Sequence, residues 1–154
     1  MSHASEEFLV EKRITINAGI EDAWHALISP ASIEKWLNVT SMSTSWEPGS
    51  PVVFSTILER KPYHFHGTVL HYDEEQKQLQ YSYWSNLSRL PDLPENHAIV
   101  TMSLQEEGEE TILLVKQERF SGEDDYRHAN FHWEMTTRAF KKFVEGKFSG
   151  DGIS

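Results

Sequence analysis

Eight histidines are spread along the chain, and four of them fall at spacings that could serve a metal. His64 and His66, two apart, share one face of a strand, and His128 and His132, four apart, share one face of a helix. A metal site would need the two pairs to face each other, and neither an HExxH pattern nor a carboxylate at ligand spacing accompanies them. No metal is expected, and His71 and His97, in or near other strands, read as edge or surface residues with the rest. His132 differs, because beside Trp133 it is the histidine best placed to face an interior space. Carboxylates are plentiful but gather in turns: Asp73, Glu74 and Glu75; Glu106 and Glu107; Glu109 and Glu110; Glu123, Asp124 and Asp125. Solvated there, they lack the perturbed pKa that an acid or base catalyst needs. Glu118, Arg119 and Glu134 lie on regular elements, where burial and pairing are open to them. There is no Ser-His-Asp spacing, no G-x-S-x-G elbow, no phosphate loop and no dinucleotide fingerprint. No catalytic residue is assigned and no cofactor is expected. What remains are polar groups set among apolar ones, notably the tyrosine hydroxyls and Gln117, of the kind that orient a ligand in an apolar pocket.

The element that would position them is the last long one, residues 124–147. Ala129, Trp133, Phe140 and Val144 recur at helical spacing, Phe143 widens their face, and Arg127, Glu134, Arg138, Lys141 and Lys142 fall mostly elsewhere. Such a helix would run roughly 35 Å and must bury its stripe. Nearly everything between Val39 and Phe120 reads as strand. Before it, residues 8–17 form a first strand. A helix comes next, with Ile20, Ala23, Trp24 and Leu27 on one side and Glu21 and Asp22 in its first turn. Ser29 and Pro30 end it, and Ser32 starts a second short helix carrying Ile33, Trp36 and Leu37.

The meander begins with a weakly patterned strand at 39–45 and a Pro48-Gly49 turn. Strands come next at 51–58 and 63–72, and then one in which Leu79, Tyr81 and Tyr83 alternate with polar residues. Residues 85–94 form a proline-containing loop in which Leu87, Leu90 and Leu93 offer an interface or a lid. Residues 98–104 and 111–120 are the last two strands, joined by a charged turn. With no repeat, linker or low-complexity segment, residues 1–154 read as one domain.

Composition narrows the partners. Twenty-four acidic against fourteen basic residues give a net charge of −10, which disfavours nucleic acid and anionic membrane surfaces. No cysteine is present, no apolar run reaches the ~20 residues of a membrane span, and the N-terminal stretch has no signal-type apolar run. A cytoplasmic protein is expected. A homodimer is an open expectation.

Four stretches, AGIEDAWHALISPASIEKWL, WEPGSPVVFS, GTVLHYDEEQKQLQYSYW and HANFHWEMTTRAFKKFVEG, together resemble the heat-shock protein 90 ATPase activator homologue type of the START-like, or Bet v 1-like, superfamily (SRPBCC). The likeness spans nearly the whole chain and rests on small motifs rather than a catalytic signature. It implies an α+β helix-grip fold: a curved antiparallel sheet of about seven strands wrapped around the long C-terminal helix, with two short helices after strand 1. It also implies an apolar cavity between sheet and helix. Relatives bind lipids, hormones or polyketides there, and some are cyclases or hydratases. No catalytic set is general to the family. The namesake's N-terminal co-chaperone domain has no counterpart in this chain.

Strand alternation points Tyr81, Tyr83, Val100, Met102, Leu113, Val115 and Gln117 inward. Phe54, Phe65 and Val69 join them, Trp36 closes an end, and Trp133, Phe140 and His132 face them from the helix. The expected cavity residues are therefore Trp36, Phe54, Phe65, Val69, Tyr81, Tyr83, Met102, Val115, Gln117, His132, Trp133 and Phe140. The expected partner is a small hydrophobic molecule. An enzyme of cyclase or hydrolase type using the same cavity is one alternative. A co-chaperone-like partner of a heat-shock protein 90 ATPase is another.

Overall fold

In a computed structural model of the protein, residues 5–58, 60–85, 90–120 and 122–148 are described. Strand β1 (Ser5–Ile16) leads into helices α1 (Ile20–Ile28) and α2 (Pro30–Trp36). Strands β2 (Ser41–Ser43), β3 (Pro51–Leu58), β4 (Lys61–Asp73) and β5 (Gln78–Ser85) come next. A 3-10 turn (Pro94–Asn96) precedes β6 (Ala98–Glu107) and β7 (Glu110–Phe120), and α3 (Glu123–Phe148) comes last. The seven strands form one antiparallel sheet in the order β1-β7-β6-β5-β4-β3-β2. With α3 against it, this is the helix-grip arrangement. Among the described residues no helix is long and apolar enough to cross a membrane.

Local chemistry explains where elements begin. Ser29 and Pro30 do more than end α1. Ser29 Oγ accepts from the Ser32 N–H at 3.4 Å, and Pro30 takes the first turn of α2, where its missing N–H costs nothing. The second helix therefore starts before Ser32. β2 is shorter than the pattern suggested and is fixed by one buried cross-strand pair, Met42 opposite Phe54. In the 85–94 loop, residues 86–89, Leu87 among them, lie outside the described residues.

Strands β4 and β5 are irregularly paired. At Gly67 the strands are so close that a Cβ would lie 1.7 Å from the Ser82 carbonyl oxygen. The register slips between Val69 and His71, and Thr68 N–H donates to Ser82 Oγ at 3.3 Å. A glycine beside a bulge is how a sheet turns a corner.

Helix α3 buries Trp133, Thr136, Thr137, Phe140 and Val144. Thr137 donates its hydroxyl to the Trp133 carbonyl at 2.8 Å, which makes a hydroxyl tolerable in that stripe. The C-terminal half of the helix is packed and tied down. Phe140, fully buried, meets Trp36 edge-on at 5.1 Å, and the Trp36 indole donates to Ala26 O at 2.9 Å. Lys141 donates to Thr15 O at 2.8 Å, Glu145 accepts from Asn17 N–H at 2.7 Å, and Lys12 pairs with Glu134 at 3.2 Å. The N-terminal half is held by Tyr126, stacked on Phe8 at 5.0 Å and edge-on to Phe120 at 5.7 Å.

Candidate functional site

A cavity of about 820 Å³ lies between the sheet and the N-terminal half of α3. Its aromatic wall grows out of a continuous row of rings. Trp46, whose indole donates to Ile28 O at 2.8 Å, stacks on Tyr72 and leans on Tyr81. Tyr81 then meets Phe54 at 6.0 Å and Tyr83 at 6.3 Å, and Tyr83 meets Phe65 at 6.2 Å. Phe54, Phe65, Tyr81 and Tyr83 line the cavity from β3, β4 and β5, and Trp133 faces them from α3. Gln117 on β7 ties the two sides together. Its carbonyl oxygen accepts from Trp133 Nε1 at 2.7 Å, and its NH2 donates to the Tyr83 hydroxyl at 3.2 Å. Burial pushes the Tyr81 phenol far above its ordinary pKa. Burial also raises Tyr83, with the Gln117 hydrogen bond opposing and the charge of Asp125 adding to the rise.

The structure divides the expected cavity residues by position along their elements. Phe54, Phe65, Tyr81, Tyr83, Gln117, His132 and Trp133 line the cavity. Trp36, Val69, Met102, Val115 and Phe140 do not: all five are buried in the packed core. Trp36 is turned onto Phe140, and the cavity is bounded instead by the next residues in the chain, Leu37, Asn38 and Val39, with Asn38 at φ 60 turning the chain out of α2. Alternation and helical spacing say which face a residue occupies. They do not say whether that stretch of face meets packing or space.

Other lining residues do not stand out in the sequence. Thr56 is two past Phe54 on β3, so alternation alone marks it. His128 is one turn before His132. Asp124 and Asp125, expected to be solvated turn residues, stand on the first turn of α3 at the cavity mouth. At the end of β7 the alternation breaks. Arg119 takes φ 68, a left-handed conformation, and the parity after it flips, so that Phe120 is buried although Gln117 is inward too. Both Arg119 and Phe120 line the cavity. His132 keeps an accessible ring but stands on a wall crowded by protein, and that loss of solvent holds its pKa below the usual histidine value.

Beside the mouth, the loop before β6 is fastened through Asp92. His66 Nε2 lies 2.8 Å from one carboxylate oxygen and His97 Nε2 2.7 Å from the other, and Trp84 Nε1 donates to Leu90 O at 3.0 Å. A carboxylate only accepts, so both imidazoles present an Nε2–H to it. Partial burial pushes the Asp92 carboxyl up. The His97 hydrogen bond and the neighbouring His66 outweigh that and leave the carboxyl below its ordinary range. The histidines thus associate across β4 and the loop, not as the two spacings suggested. Among the described residues no group of three His, Asp or Glu side chains is arranged to hold a metal ion.

Several solved structures share this architecture. ChR145 from Cytophaga hutchinsonii is 32% identical over 95% of this chain and 99% of its own, with a TM-score of 0.78. The Aha1 dimer from Colwellia psychrerythraea is 18% identical over 89% of this chain and 96% of its own, at 0.69. DynU16, from the dynemicin biosynthetic locus, is 16% identical over 90% of this chain and 48% of its own, at 0.74. At the last two identities the likeness is one of fold. No curated protein matches the chain. The model of the family described as Activator of Hsp90 ATPase homolog 1-like protein matches residues 17–145, most of the sequence, and with the fold and the 32% identical relative this shows that the chain belongs to that family.

Proposed function

We propose that the protein binds a small hydrophobic molecule in the cavity between the sheet and the N-terminal half of α3. The observation that carries this is the cavity itself. At about 820 Å³ it falls within the size range of ligand pockets, and its exposed wall surface is mainly apolar, with seven aromatic side chains set among polar and charged ones. A core of this size would ordinarily fill such a space, since protein interiors pack as densely as organic crystals. The fold supports the reading, because helix-grip relatives commonly hold ligands at this place. The test is binding of the neutral probe N-phenyl-1-naphthylamine, followed by its fluorescence, to the wild type and to Ala129→Trp. Ala129 lines the cavity from α3, so an indole there fills the space. Saturable binding to the wild type, lost in a folded Ala129→Trp, is the expected result. No binding to the wild type, or equal binding to both, overturns the reading.

Two finer statements belong to the same proposal, and one alternative stands beside it. The protein acts in the cytoplasm, which cell fractionation checks. It self-associates through the outer face of α3, where Phe131 is 68% exposed and Met135 is exposed one turn on, a reading supported by the dimer known for the Colwellia relative. Sedimentation of Phe131→Glu checks that. A co-chaperone role, which the family's name carries, predicts capture by a heat-shock protein 90 ATPase, whereas a ligand carrier predicts none.

A further inference from the structure

Trp133 sets a direction of hydrogen bonding that ends inside the cavity. An indole N–H can only donate. Since Trp133 Nε1 lies 2.7 Å from Gln117 Oε1, the amide is oriented with its oxygen toward the indole and its NH2 away from it. That NH2 lies 3.2 Å from the Tyr83 hydroxyl, so the hydroxyl oxygen accepts and its own proton is left over. Among the described residues nothing accepts that proton, and the hydroxyl of Tyr81, its neighbour at 6.3 Å between rings, likewise has no partner. Both tyrosines line the cavity, and burial raises both phenols, so both remain protonated. The deep wall therefore offers two O–H donors with no acceptor beside them.

The charged lining residues lie elsewhere. Arg119 is at the end of β7, and Asp124 and Asp125, with the titratable His128 and His132, are on the first turns of α3. Of these, the Asp125 carboxylate is near enough to raise the Tyr83 phenol, a negative charge that disfavours an anion at that wall. A buried anion there would have no compensating cation, and a ligand with only donors would leave both hydroxyl protons without an acceptor.

We propose that the cavity selects neutral ring compounds carrying a carbonyl-type oxygen, aromatic ketones or quinones, whose oxygen accepts from Tyr83 with Tyr81 as the second donor. This rests on the reading that the cavity binds a hydrophobic ligand and adds which group on that ligand is recognised.

The test uses 9-fluorenone and fluorene, planar molecules of nearly equal size with and without the carbonyl, titrated against the intact wild type and Tyr83→Phe by tryptophan quenching. In Tyr83→Phe, fluorenone affinity is expected to fall roughly three- to ten-fold, the worth of one hydrogen bond, while fluorene stays within about two-fold. A second measurement needs no variant: the carbonyl stretch of 13C-labelled fluorenone bound to the wild type should shift to lower frequency than in an apolar solvent. Fluorene and fluorenone losing affinity equally, or neither losing any, overturns the inference while leaving the cavity's function standing. So does a carbonyl stretch like that in hydrocarbon. If neither compound binds the wild type, the function proposed for the cavity fails and the inference fails with it.

Discussion

His132 is exposed on the rim of the cavity wall, yet its surroundings withdraw enough water to disfavour the imidazolium. Asp124, Asp125, His128 and Arg119 line the same cavity, and burial is what governs the His132 imidazole. The folded chain then takes up this proton less readily than the unfolded chain. Stability is therefore intact above the ordinary histidine pKa and declines as the pH drops below it, because the unfolded state gains more from protonation. As the pH falls from about 7 to about 5, the wild type should lose more thermal stability than His132→Asn, read as Tm against pH. Parallel curves would mean that the ring is as well hydrated folded as unfolded. Spacing made His132 visible as a polar residue beside a buried tryptophan. The Trp133–Gln117–Tyr83 chain was not visible, although all three were placed on inward faces, because a hydrogen bond between β7, β5 and α3 depends on depth along each element.

At the scale of elements, the sheet curves around the space under α3, and Gly67 marks a close approach of β4 to β5. Alanine there would put a methyl carbon 1.7 Å from a backbone carbonyl, which no rotamer can relieve, so β4 and β5 would have to part. A loss of about 3 kcal/mol or more in urea unfolding is expected for Gly67→Ala, large for one methyl group and of the order seen when backbone must shift. A loss under about 1 kcal/mol would mean that the crossing is looser than its geometry implies. The strands, the two short helices and the long helix were legible, though not their ends, because each rests on a period or a capping residue read within its own segment. The glycine read as an ordinary strand residue, since its neighbour Ser82 is fifteen positions away. The flip at Arg119 was hidden for a related reason. A single left-handed residue inverts the inward face of the strand beyond it, and alternation alone would have turned Phe120 outward. Trp36, Val69, Met102, Val115 and Phe140 lie on the expected faces but at the filled end, where α1 and α2 supply the packing.

Over the whole molecule, the space under α3 is divided into a packed end and an open one, and the open end sits in the field of an acidic protein. The net charge is −10, and the helix begins with Glu123, Asp124 and Asp125, two of which line the mouth. Arg119 opposes this only locally. An anionic ligand must approach against that potential, whereas a neutral one is indifferent to it. The dye 1-anilinonaphthalene-8-sulfonate and its uncharged parent N-phenyl-1-naphthylamine share one ring system and separate the two cases. Raising the salt from about 0.02 to about 0.5 M shortens the screening length from roughly 20 Å to roughly 4 Å and removes most of the repulsion. The sulfonate should then bind several-fold more tightly, while the neutral dye changes little and in the same sense for any apolar site. Equal salt responses would mean that the mouth's local cation, Arg119, offsets the acidic surface around it. Neutrality of the ligand would then be set at the tyrosine wall alone. A stronger response of the sulfonate would put charge selection at the entrance, ahead of the hydroxyls that read the ligand's oxygen inside.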